Sequence, residues 1–214
     1  MENPDQAVRN ARIAINEGAD GVFLINHHIS ADDLLSSYEA VLRRVPTAWI
    51  GVNYLRTTAT EAVQYMRSSM NGLWVDNAGV YEDARGSQEA ATLFKTQQEL
   101  ERMWQGEFLL FGGVAFKGQE SVKDPARMAK LAMPYVDVIT TSGVATGFAP
   151  PVDKIRLMRE AIGEHPLAIA SGMTPENVHK YLPYTDAFLV ATGISKSFTE
   201  LDPKKVAQFV KALC

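Results

Sequence analysis

Short apolar runs alternate along the chain with amphipathic stretches of helix length. Seven runs read as strands: Gly21–Ile25, Ala48–Leu55, Gly72–Asn77, Glu107–Ala115, Val136–Thr141, Leu167–Ala170 and Ala187–Ala191. They are apolar on both faces, which is the pattern of parallel strands buried beneath helices. Between them lie helix starts that follow capping chemistry: Asn3-Pro4-Asp5-Gln6, Ser30-Ala31-Asp32-Asp33, Thr58-Ala59-Thr60-Glu61, Ser87, Asp124-Pro125, Thr174-Pro175-Glu176-Asn177 and Asp202-Pro203. Val206, Phe209, Val210 and Leu213 line one face of the last predicted helix. Regular βα alternation predicts an α/β fold of one domain over residues 1–214. The expected architecture is a (β/α)8 TIM-type barrel with seven strands read where eight are usual; a first strand ahead of the opening helix is absent through truncation or a late start, or the barrel is a genuine seven-stranded one. The open sheet edge that results predicts a homo-oligomer.

Composition narrows the class. With 46% hydrophobic residues in 214, the chain can bury a substantial core. Acids and bases are interspersed at a net charge of −4, without a basic patch, so nucleic acid is not an expected partner. No apolar run is long enough for membrane insertion and no leader pattern is visible. The single cysteine, Cys214, permits neither a disulfide framework nor a zinc cluster, and a cytoplasmic location is expected.

Candidate chemistry gathers where strands end. Ser171-Gly172 and Thr192-Gly193 follow the last two strands, the place where (β/α) barrels hold phosphate. Asn177 stands in the predicted helix start beside them, and Lys196 offers an ammonium nearby. Lys117 ends the fourth strand, where it suits Schiff-base formation or the neutralising of enolate or phosphate charge. Asn53 and Asn77 end the second and third strands as neutral hydrogen-bonding groups, with Asn77 expected to point inward and its neighbour Asp76 outward. Asn26, His27, Thr141, Ser142 and Thr146 complete the expected substrate-binding rim. Adjacent His27 and His28 diverge on an extended segment and lack a carboxylate at ligand spacing, so neither a metal nor any cofactor is expected. No serine or threonine has a paired base in the pattern.

Three segments together resemble the BtpA family, whose members have been linked to photosystem I biogenesis. Gly51-Val52-Asn53-Tyr54-Leu55-Arg56 is similar to its G-V-N-x-L-R, and Thr141 to Gly147 to its T-G-x-A-T-G. Ser171-Gly172-Met173-Thr174-Pro175-Glu176-Asn177-Val178 resembles S-G-v-t-P-e-N-v. Where the family has Glu-Asn this chain has Ile25-Asn26, and where it has Lys-His this chain has Lys117-Gly118. The eighth ending, G-T-x-x-K in the family, reads Thr192-Gly193-Ile194-Ser195-Lys196. The resemblance implies a (β/α) barrel. With the rim residues it suggests an enzyme acting on a small phosphorylated metabolite, a sugar phosphate or nucleotide derivative, by isomerase, lyase or glycosyl-phosphate transferase chemistry. The alternative is a non-enzymatic assembly or ligand-sensing factor that keeps only the phosphate pocket.

Overall fold

The computed structural model describes residues 3–213; Cys214 lies outside them. Strands β1 (Gly21–Ile25), β2 (Trp49–Asn53), β3 (Gly72–Val75), β4 (Leu109–Gly113), β5 (Val138–Ser142), β6 (Leu167–Ala170) and β7 (Ala187–Leu189) form one sheet. Their order is sequential and every pairing is parallel. The sheet curls into a nearly closed barrel that leaves a seam between β1 and β7. Helices α1 (Pro4–Asn16), α2 (Ala31–Arg44), α4 (Gln88–Trp104), α5 (Pro125–Ala132), α6 (Val152–Ile162) and α7 (Pro203–Lys211) pack around it, with a single turn, α3 (Ala59–Ala62), after β2.

The caps are those the side chains dictate. Asn3 accepts from the Gln6 N–H, while Ser30 with Asp33 and Thr58 with Glu61 form reciprocal capping boxes. Each satisfies helix-end amides that would otherwise be unpaired. On the outside of the seam, α1 is tied to the loop before α7. Asn10 Nδ2 donates to the Thr199 carbonyl at 2.8 Å, and its Oδ1 accepts from Leu201 N–H at 3.1 Å.

Two apolar layers result. The outer one packs helices on the sheet through Leu34, Ile50, Leu73, Leu110, Ile139, Ile155 and Ile169, all fully buried. The inner one fills the barrel with rings: Phe23 meets Trp49, Trp74 and Phe111 edge-on at centroid distances of 5.1, 5.8 and 5.0 Å. Glycine makes room for them. A Cβ on Gly51 would lie 2.3 Å from the Phe23 ring, and one on Gly72 would lie 2.5 Å from that of Trp49. Phe116 closes this stack against Trp74 at 5.9 Å, so the barrel below the rim is packed solid and any chemistry belongs to the mouth above.

The observed strands are shorter than the predicted runs, since Leu55, Asn77, Ala115 and Ala191 already belong to loops. One predicted helix is absent. Thr174-Pro175-Glu176-Asn177 begins no α-helix; two single 3-10 turns, Val178–Lys180 and Leu182–Tyr184, connect β6 to β7. Pro183 accounts for the change: it removes a backbone donor and disfavours α conformation at Leu182, so the segment is too short to continue.

Candidate active site

Alternation in β1 to β3 assigns the mouth. Phe23, Trp49 and Trp74 belong to the inner ring cluster, so the residues two or four further on, Ile25, Asn53 and Asp76, share that face. Asn53 is 1% exposed; its Nδ2 donates to the Trp74 carbonyl at 2.8 Å and to Asp76 Oδ1 at 3.2 Å. The expectation that Asn77 points inward and Asp76 outward is therefore reversed. Asn77 serves its own turn, with Oδ1 accepting from Gly79 N–H at 2.9 Å and Nδ2 donating to the Tyr81 hydroxyl at 3.2 Å. The strand ends at Val75, and the count from Trp74 places the carboxylate inside.

Backbone strain gathers on the same rim. Among the described residues, the non-glycine positions with positive φ are Arg56, Gln105, Ala115 and Ser171. Gln105 merely ends α4 in the left-handed region. The other three follow β2, β4 and β6, and left-handed backbone without glycine persists only where the surrounding structure holds it.

Lys117 stands at the centre. Its Nζ donates to the Ser171 hydroxyl at 2.8 Å and to the Thr146 hydroxyl at 3.1 Å, joining the loops after β4, β5 and β6. Its backbone N–H donates to Ser142 Oγ at 2.8 Å. Burial lowers the lysine's pKa, while the nearby Asp76 carboxylate opposes that shift. The same neighbourhood acts on Asp76, whose pKa burial raises while Asn53 and Lys117 pull it down.

A second lysine, not among the residues singled out from the sequence, serves the same strand ends. Lys154, in the first turn of α6, donates to the carbonyls of Ala115 at 2.6 Å and Ser142 at 2.8 Å, clasping the ends of β4 and β5. Burial pushes its pKa down from 10.5 to about 8. From pH 8 upward the folded chain has shed a proton that the unfolded chain still binds, so this group makes stability rise with pH toward 10. Guanidinium unfolding should show the wild type gaining stability between pH 8 and 10 relative to Lys154→Met. A parallel course for the two proteins would refute the assignment.

The loops after β6 and β7 touch. A Cβ on Gly193 would lie 2.0 Å from the Met173 carbonyl oxygen, and one on Gly172 would lie 2.1 Å from Ala149 N. Among the described residues no hydrogen bond engages the N–H of Gly172 or of Gly193. Two backbone donors thus remain unspent in adjoining loops, beside Ser171 and Thr192. Asn177 buttresses this cradle: its Oδ1 accepts from Thr174 N–H at 2.9 Å and its Nδ2 donates to the Gly172 carbonyl at 2.8 Å. Lys196 is paired with Glu200 at 2.9 Å.

Other expected rim residues have structural partners. Asn26 is buried and accepts from Leu55 N–H at 2.6 Å; Thr141 faces away from the mouth with its hydroxyl 3.4 Å from the Ala115 carbonyl. Ser142 Oγ donates to the Gly143 carbonyl. His27 lies edge-on to the exposed Phe198 ring at 5.3 Å, and burial, followed by the positive charges nearby, lowers its pKa. Among the described residues no group of three or more His, Cys, Asp or Glu is arranged to hold a metal, and no helix is long and apolar enough to cross a membrane.

Solved structures of similar shape are (β/α) barrel proteins. A phosphoribosyl anthranilate isomerase from Thermus thermophilus matches with a TM-score of 0.64 and 16% identity over 96% of this chain and 93% of its own. (S)-3-O-geranylgeranylglyceryl phosphate synthase from Thermoplasma acidophilum matches at 0.65 and 13%, over 99% and 88%. A native KDPGal structure matches at 0.69 and 13%, over 98% and 89%. At such identities the likeness establishes the fold alone. No curated protein matches the chain in sequence. The BtpA family model, however, matches residues 4–214, nearly the full length, and the chain belongs to the BtpA family.

Proposed function

We propose that this protein is an enzyme acting on a small phosphorylated metabolite, a sugar phosphate or nucleotide derivative. The phosphate sits against Ser171, Gly172, Thr192 and Gly193, and Lys117 lies between it and the reacting end of the substrate. The observation that carries this reading is a pair of unspent glycine amides in touching loops, one of them next to Ser171, whose hydroxyl accepts from a half-buried ammonium. A dianion satisfies all three at once, with charge-assisted hydrogen bonds from the lysine and backbone donors from both loops. Structures of similar fold support it: the synthase holds sn-glycerol-1-phosphate, and a phosphoribosyl anthranilate isomerase holds reduced 1-(o-carboxyphenylamino)-1-deoxyribulose 5-phosphate. Asn53 and Asp76 then address the reacting end, and Asn177 shapes the cradle from behind. The proposal includes a homo-oligomer that covers the seam between β1 and β7, and a cytoplasmic location.

Calorimetric titration tests the reading. Ribulose 5-phosphate and inorganic phosphate should bind, while unphosphorylated ribulose should show no heat of binding at the same concentration. Equal affinity for the phosphorylated and unphosphorylated sugars would overturn it.

A further inference from the structure

Asp76 is the one acid the strand pattern sends into the mouth, and the fold holds it with care. Gln119 Nε2 donates to the Asp76 carbonyl at 2.8 Å and to that of Gly113 at 3.0 Å, fixing the backbone between β3 and β4. Gly113 permits that approach, since a Cβ there would lie 2.1 Å from the Asp76 carbonyl oxygen. Asn53 steadies one carboxylate oxygen, and the other has no hydrogen bond among the described residues. Asp76 also lines a cavity of about 260 Å³ with Tyr54, Arg56, Thr57, Tyr81 and Glu89, formed by the loops after β2 and β3. Glu89, the cavity's second acid, already accepts from the Tyr81 hydroxyl at 2.6 Å.

We propose that Asp76 is the proton-transferring carboxylate of this site, and that the substrate is a phosphorylated carbonyl compound bearing a hydrogen on the carbon next to the carbonyl. The proposal rests on the phosphate reading above and specifies its chemistry. Asp76, as carboxylate, takes the proton from that carbon. The C–H bonding pair becomes the C=C bond of an enediol(ate), and the carbonyl π pair moves onto oxygen, where the Lys117 ammonium meets the developing charge. Return of a proton to the same carbon regenerates the carbonyl and the carboxylate, so no oxidant or reductant is consumed. Burial raises the Asp76 pKa while Asn53 and Lys117 oppose the shift, and a raised carboxylate pKa suits a group that must both take and return a proton.

The test is solvent exchange. Dihydroxyacetone phosphate and ribulose 5-phosphate are each incubated with the protein in deuterium oxide, and the carbon-bound hydrogens are followed by proton NMR against a protein-free control. Wild type should wash deuterium into the carbon next to the carbonyl of at least one probe. Asp76→Asn should slow this at least a hundredfold while leaving the affinity for inorganic phosphate within twofold, and Asp76→Glu should recover part of the rate. Because the buried carboxylate binds its proton more tightly folded than unfolded, its charged form opposes folding, so Asp76→Asn should melt at or above the wild-type temperature. Wild-type exchange in Asp76→Asn, or no exchange on either probe by a protein that binds phosphate, would overturn the assignment. Absence of phosphate binding would instead overturn the reading beneath it.

Discussion

Replacing Lys117 by methionine is expected to lower turnover of the phosphorylated substrate by about a thousandfold, since groups aimed at developing charge in a water-poor site contribute on that scale. Its effect on binding follows from the geometry. The ammonium reaches Ser171 and Thr146 together at the cradle, and a charge-assisted hydrogen bond from it to a bound phosphate would be worth about 1.5–3 kcal/mol. Affinity for inorganic phosphate should fall by roughly tenfold to a hundredfold, measured by titration. Lys117→Arg should not restore turnover, because a planar guanidinium cannot take the place of a compact ammonium between two hydroxyls. Stability should hold or rise in Lys117→Met, since the lysine is half-buried without a carboxylate in contact and burial disfavours its charge. A methionine variant that keeps wild-type turnover would remove the centre of the proposed site.

Gly172→Ala is expected to be the most damaging small substitution. At φ +71 a side chain is strained, and the added Cβ would stand 2.1 Å from Ala149 N and 2.2 Å from Phe148 C. Both contacts are backbone, so neither can yield by rotating a side chain; the loop after β5 or the loop after β6 must move. Strain and displacement together should cost on the order of 2–4 kcal/mol in denaturant unfolding. Phosphate affinity should drop at least about tenfold, since the unspent Gly172 amide moves with the loop. Gly147→Ala is the control. It has the same positive sign of φ, at +84, but nothing within 4 Å of the added carbon, so it should cost only about 1 kcal/mol and spare phosphate binding. If the two variants unfold alike, the close approach at Gly172 has no energetic consequence.

How much of this was legible in the sequence differs by element. The strands could be read because runs such as Leu167–Ala170 are buried on both faces and bounded by turn residues. That same two-sided burial hid their orientation. In Gly72–Val75 every residue is apolar and buried, so no alternation marked Trp74 as inward, and the places of Asp76 and Asn77 were exchanged in the reading. Thr174-Pro175 carried a genuine capping signal, with Asn177 accepting from Thr174 N–H, but Pro183 left the segment too short to become a helix. Ser171 and Lys117 stood out as residues at strand ends; that their side chains meet depends on the left-handed backbone at Ser171 and Ala115, which neither residue type announces. Lys154 did leave a trace. A lysine in the first turn of a helix opposes the helix dipole, and such a misplaced charge is a reason to look for carbonyl partners.

The central claim is that adjoining loops after β6 and β7, with Lys117, form a cradle for a phosphate dianion. The most direct measurement is a crystal structure of the protein grown with inorganic phosphate. Density for the anion is expected within hydrogen-bonding distance of the Gly172 and Gly193 N–H groups and of Lys117 Nζ. Phosphate bound only elsewhere on the molecule, with Lys117 still joined to Ser171 and Thr146, would contradict it.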